Sequence, residues 1–195
     1  MIIHNAIDQF AYDMVNGLEF PQFIVGKGAP NGAVTPYSKL PVGSRYMYAI
    51  DKNIRRWYTK RKNDGRTDDW ALGPFEIVKR VLFSDFTDGG AAIGTLTLTE
   101  TIPVGAFVQQ ALLTDVTGFT GDTSATIQIG DGTDADRYST GTPSIFTTAA
   151  AIDPGVPSGV KIHIAAKAPV ITVTSAAVFT AVEAGAFTLR IHCLG

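Results

Sequence analysis

Cysteine occurs once, at Cys193. A single thiol excludes an intramolecular disulfide framework, so the fold must rest on apolar burial or on assembly. Charge is scarce as well: Asp, Glu, Lys and Arg make up 17% of the chain, against about 25% in typical soluble domains. The net charge of −2 excludes a general attraction to polyanions. No apolar run approaches the roughly 18 residues that a membrane-spanning helix needs. The N-terminus "MIIHNAIDQF" lacks both the basic start and the sustained apolar stretch of a secretion signal. These absences predict a protein made in a cytoplasm and not held in a membrane.

What is present is β-like. Apolar residues make up 45% of the chain, with 20 glycines and many Thr and Ala, a composition that suits short strands joined by tight turns. Charge is distributed unevenly. Residues 1–80 hold 12 Lys+Arg against 8 Asp+Glu, a net of +4, and residues 81–195 hold 4 against 10, a net of −6. The two parts differ in sign, which predicts an N-terminal region over 1–80 and a separate domain over 81–195.

Along the N-terminal region, Ile3, Ile7, Phe10, Met14 and Leu18 recur at helical spacing, which predicts a short helix or an inserting arm before Asn16-Gly17 and Pro21. Residues 26–45, "GKGAPNGAVTPYSKLPVGSR", read as a loop or linker. Gly26-x-Gly28 is not a dinucleotide turn, because Pro30, Gly32 and Pro36 forbid the helix that must follow. Next, Tyr46, Tyr48 and Ile50 alternate with Arg45, Met47 and Ala49; after the Asp51-Lys52-Asn53 turn, Ile54, Arg56 and Tyr58 alternate with Arg55, Trp57 and Thr59. Period two on both sides of a polar turn predicts a β-hairpin, with Trp70-Ala71-Leu72 as a short third strand.

From Val81 onward, strands are predicted near 80–84, 92–100, 106–116, 124–129, 144–149, 160–165, 169–174 and 186–193. Eight short strands with little helical pattern predict an all-β, jelly-roll-like β-sandwich behind the arm and hairpin. In the last strand, Phe187, Leu189, Ile191 and Cys193 share one face, which makes Cys193 a core residue.

Catalytic chemistry finds little support. His192 and Cys193 are neighbours on a strand and so point to opposite faces. His163 alternates with Ile162 and Ile164, which places it on a polar face. Asp131, Asp134 and Asp136 in "GDGTDADRY" could offer oxygens to Ca²⁺. The spacing is not that of an EF-hand, and Asp is common in tight turns because it caps its own backbone. No pair of carboxylates is marked out for glycoside hydrolysis. The expectation is therefore no enzyme, no cofactor and no metal. Lys52, Arg55, Arg56, Lys60, Arg61, Lys62 and Arg66 surround Trp57 and Tyr58. That mixture suits nucleic acid, yet Asp51, Asp64, Asp68 and Asp69 dilute the field, and Arg with aromatics is also what protein interfaces favour. Arg55, Arg56, Trp57 and Tyr58 are the candidate partner-binding residues.

The stretch "PVGSRYMYAIDKNIRRWYTKRKNDGRTDDWAL" resembles a short module of tailed-bacteriophage virion proteins: a Gly-Ser start, a Tyr-rich strand, an Asp turn, a Trp-Tyr-x-Lys strand and a closing Asp-Trp. "TIPVGAFVQQALLTDVTGFTGDTSATIQIGDGTDADRY" resembles β-sandwich domains of phage structural proteins, with a Pro-x-Gly-Ala turn, a long apolar strand and a Gly-Asp-Gly-Thr-Asp-Ala-Asp turn. The resemblance implies a virion structural protein, first of all a capsid decoration (cement) protein on the head surface. It further implies a homotrimer whose partner is the major capsid protein, made in the host cytoplasm. A head fibre, or a fibre- or tail-associated module that binds a receptor or carbohydrate, is the alternative it leaves open.

Overall fold

A computed structural model describes residues 3–5, 23–26, 30, 40–49, 55–61, 64, 70–159 and 162–195. The chain divides into two compact units: Met1–Phe75 with Leu194–Gly195, and Glu76–Cys193.

The first unit is built on a five-stranded sheet in the order β1-β2-β3-β4-β5. Its strands are β1 (Ile3–Asn5), β2 (Phe23–Gly26), β3 (Arg45–Ala49), β4 (Arg55–Lys60) and β5 (Trp70–Leu72). The expected hairpin is β3–β4, antiparallel, with Tyr46 opposite Tyr58 and Met47 opposite Trp57; β5 adds to it antiparallel. The sheet is larger than the three strands expected, because β2 pairs parallel with β3 and β1 parallel with β2. The helix predicted to start at Ile3 does not start there, since Ile3–Asn5 is extended; its remainder lies outside the described residues. So do most of the 26–45 linker and the Asp51–Asn53 turn.

Entry into β3 is set by Pro41–Ser44. The Ser44 N–H donates to Pro41 O at 3.1 Å and Gly43 takes φ 88°, as the third position of a type II turn requires. Period two then sends Tyr46 to the buried face, where it packs with Ile24, Leu40 and Trp70. The Tyr46 ring meets Trp70 edge-on at 6.1 Å and Tyr58 at 6.5 Å, the arrangement that ring quadrupoles favour.

The second unit holds two four-stranded sheets. One has the order β10-β12-β8-β7 and the other β11-β9-β13-β6. Their strands are β6 (Phe75–Leu82), β7 (Thr87–Asp88), β8 (Ile93–Thr97), β9 (Phe107–Thr120), β10 (Ala125–Gly130), β11 (Ala149–Ile152), β12 (Val170–Ser175) and β13 (Ala184–Leu194). An isolated antiparallel bridge, Thr126 to Ser144, adds to the β10 side of the first of these sheets. The protein is thus predominantly β, as expected. The segment expected to be a strand over 160–165, however, forms none at 162–165, where His163 bonds through its backbone to Gly105 and Ala106.

Alternation builds the core. Ala125, Ile127 and Ile129 of β10, Ile171 and Val173 of β12, and Phe187, Leu189, Ile191 and Cys193 of β13 are buried. In β9 the buried positions are Val108, Ala111, Leu113, Val116 and Phe119, so the alternation slips along the strand. Asp115 takes φ 51° there, and its carbonyl accepts from Arg80 Nη1 at 3.0 Å. A local shift of this kind re-aims the side chains that follow it. Five phenylalanines close one region of the unit. Phe119 meets Phe83 and Phe86 edge-on at 6.2 Å and stacks on Phe187 at 6.1 Å, and Phe179 lies 5.5 Å from Phe83.

Candidate functional site

The strand β4 presents two faces. Arg56, Tyr58 and Lys60 point one way, and Trp57 and Thr59 the other. On the first face, the Arg56 guanidinium carbon sits 5.2 Å from the centre of the Phe75 ring. Tyr58 packs against the small core, and burial pushes its phenol above the ordinary value while the Arg56 charge pulls the other way. Lys60 is buried. The cation-rich stretch is therefore not one continuous charged surface: two of its described cations, Arg56 and Lys60, lie on the packed face of the sheet.

The second face is partly exposed among the described residues. Trp57 is 37% exposed, and its ring tilts against Phe23 at 5.3 Å. Beside it runs a groove of about 300 Å³ lined by Arg45, Trp57, Tyr58, Thr59, Gly73 and Pro74. Arg45 stands directly across from Thr59. Gly73 closes the floor, its N–H donating to Trp57 O at 2.6 Å. An apolar wall with a cation at its edge can take an extended or flat partner group that carries negative charge. Of the four residues singled out from sequence, Trp57 projects on this face, Tyr58 lines the groove, Arg56 packs behind it, and Arg55 belongs to β4 beside Ala49 of β3. Arg45 and Pro74 were not singled out from sequence. The signal for Arg45 was its strand phase, since it shares a face with Met47.

In the second unit the Gly-Asp-Gly-Thr-Asp-Ala-Asp turn is tied to itself. Asp131 Oδ1 accepts from the N–H of Thr133 at 3.0 Å and of Asp134 at 2.9 Å. Arg137 pairs with Asp131 at 3.5 Å and with Asp134 at 3.3 Å. Burial alone would raise the Asp131 carboxyl, but these amides and the Arg137 charge outweigh it and hold the group below the usual range. Asp134 and Asp136 share a hydrogen bond that lowers the first and raises the second. These carboxylates thus have local partners. Among the described residues, no three His, Cys, Asp or Glu side chains group to hold a metal ion.

His163 lies otherwise than its alternation with Ile162 and Ile164 suggests. Its ring turns inward, with Nε2 3.0 Å from the buried Tyr138 hydroxyl, while Ile162 is 63% and Ile164 94% exposed. The polar-face assignment fails because this segment is no strand: the histidine finds a buried partner and the isoleucines are left outside. His192 lies 3.5 Å from Glu76, which also holds Arg190 at 3.2 Å; Cys193 points to the buried face. No described helix is long and apolar enough to cross a membrane.

No protein-family model matches this chain. No curated protein matches it. Among solved structures it is similar to a chain of the cyanophage Pam1 capsid asymmetric unit, at 23% identity over 61% of this chain and 85% of that one, with a TM-score of 0.30.

Proposed function

We propose that the chain is a non-catalytic structural protein of a tailed-phage virion, a capsid decoration (cement) protein that docks on the assembled head through its first unit. The observation that carries this reading is the open groove beside Trp57. It sits on the module whose sequence, residues 41–72, resembles those of phage virion proteins, and that module has its own small core. Arg45 at the groove edge suits an acidic partner surface, for which the major capsid protein of the shell is the candidate. Trp57 is the anchor in this reading, with Tyr58 in the groove wall, Arg56 packed behind the strand on Phe75, and Arg55 the neighbouring partner-binding position on β4.

The second unit is read as a jelly-roll β-sandwich. The strand order supports this. Taking the Thr126–Ser144 bridge as a vestigial strand, F, next to β10, and the two-residue β7 as an extra edge strand on β8, the sequence β6, β8, β9, β10, F, β11, β12, β13 gives sheets β6-β13-β9-β11 and β8-β12-β10-F. This is the interleaving of two four-stranded sheets that a jelly roll has. Among the described residues, the first unit's apolar cluster has four buried members, Ile24, Leu40, Tyr46 and Trp70, and a core this small gains from burial at an interface. A homotrimer on the particle is the assembly this reading expects.

The test is co-sedimentation of the full-length protein with particles stripped of it. Trp57→Ala is expected to weaken binding by about 2 kcal/mol or more, roughly 30-fold in Kd. Arg45→Glu should weaken it further at low salt and reduce its salt dependence. Binding unchanged in both variants would remove the groove from the docking surface. An exposed indole beside a groove also suits stacking of a sugar ring, which favours a fibre or tail-associated carbohydrate-binding module as the second reading. Glycan binding lost in Trp57→Ala, with no binding to stripped particles, would select it.

A further inference from the structure

The segment Ile162–Ala165 is turned inside out: its histidine faces a buried tyrosine and its isoleucines face solvent. Two main-chain bonds fix it to the 103–106 loop. The His163 N–H donates to Ala106 O at 2.9 Å, and the Gly105 N–H donates to His163 O at 2.8 Å. A third bond is made by the side chain, between His163 Nε2 and the Tyr138 hydroxyl at 3.0 Å. Val104, on the partner loop, is 61% exposed, so apolar side chains are displayed on both of the paired segments. Beside it a cavity of about 150 Å³ is lined by Asp131, Arg137, Lys167 and residues 162–165.

We propose that His163 is a pH-sensitive latch: as the neutral imidazole it binds the Tyr138 hydroxyl and holds residues 162–165 on the 103–106 loop with Ile162 and Ile164 outward, and its protonation releases the segment.

The chemistry follows from donors and acceptors. The latch takes neutral His163 in its Nδ1–H tautomer, in which Nε2 accepts the Tyr138 proton across the 3.0 Å contact. The imidazolium carries a proton on both nitrogens and cannot accept, so Tyr138 must turn its own proton elsewhere within a buried site. The charged groups facing His163 are Asp131, Arg137 and Lys167, with Tyr138 as the uncharged titratable neighbour. Burial disfavours the imidazolium most; Asp131 favours it, and Arg137 and Lys167 oppose it, leaving the group below the ordinary histidine value. Burial also pushes the Tyr138 phenol far up, so it stays protonated throughout. The sign is then fixed. A histidine whose folded pKa is depressed contributes stability above its unfolded value of about 6.5, and that stability is lost as pH falls toward the folded value.

The experiment is amide hydrogen exchange on the full-length protein, read at His163 and Gly105 near pH 7.5 and near pH 5.5, after correction for intrinsic chemical rates. With an unfolded value of about 6.5, the opening constant is expected to rise several-fold over that interval, with a ceiling of about tenfold. His163→Gln keeps a hydrogen-bonding side chain that does not titrate, and its corrected exchange should be flat. An unchanged wild-type opening constant overturns the latch; the same rise in His163→Gln overturns it too and moves the effect to another titrating group. If His163→Gln does not fold, an NMR titration of the His163 ring in the unaltered protein decides: a midpoint below about 6.5 supports the latch, and one at or above it overturns the latch.

Discussion

Truncating Phe119 to alanine should lower the unfolding free energy of the second unit by about 3–5 kcal/mol. Phe119 is 1% exposed and makes ring contacts with Phe83, Phe86 and Phe187. Its loss removes both the transfer free energy of a buried ring and the packing of three neighbours that cannot all collapse into the gap. Against a total stability of about 5–15 kcal/mol, a loss of that size brings the unit close to unfolding at ordinary temperature. Guanidinium denaturation followed by far-UV circular dichroism reads it as a lower midpoint with an unchanged slope. A loss under about 1 kcal/mol would mean that the ring cluster is peripheral to the core.

Gly185→Ala should cost about 2–6 kcal/mol for two separable reasons. Gly185 holds φ 140°, which an L side chain adopts only with strain of about 1–3 kcal/mol. A Cβ there would also enter the Phe119 ring and stand 2.7 Å from the Phe119 Cα, an overpacking of about 1–3 kcal/mol. The ring can be removed but the backbone cannot. The double variant Gly185→Ala/Phe119→Ala should therefore be less destabilised than the sum of the singles by about 0.5–2 kcal/mol, with the strain remaining. Strict additivity would sink the contact half of the argument.

The hairpin β3–β4 was legible because Tyr46, Tyr48 and Tyr58 keep strict period two on either side of a polar turn, and one buried face follows from that alone. The β13 strand was legible for the same reason. The strands β1 and β2 were not. They are three and four residues long, and their parallel pairing depends on β3, far along the chain, so no local pattern announces them. β9 runs on to Thr120, past the end expected near 116; its buried positions slip out of phase around Asp115, and a phase slip mimics the end of a strand. The sequence showed Trp57 and its cations but could not sort them. Whether a cation flanks a groove, as Arg45 does, or packs on a ring, as Arg56 does on Phe75, depends on strand phase together with which face is covered. His163 misled because period two identifies two faces without saying which is buried; here Tyr138, 25 residues earlier in the chain, made that choice.

Cys193 is the only thiol of the chain. It lies buried on the penultimate residue of β13, its Sγ 4.0 Å from Ile191 O. It is thus a built-in clock. An alkylating reagent reaches a buried thiol only during an opening of the surrounding structure, so the rate of single-site labelling measures how often β13 leaves its sheet. When labelling is slow relative to reclosing, that rate reports an equilibrium. Because the reaction consumes no engineered probe, it can be run on free protein and on protein held in an assembly alike. On the proposed docking to a capsid, the ratio of the two rates gives the protection from opening that assembly lends to this strand.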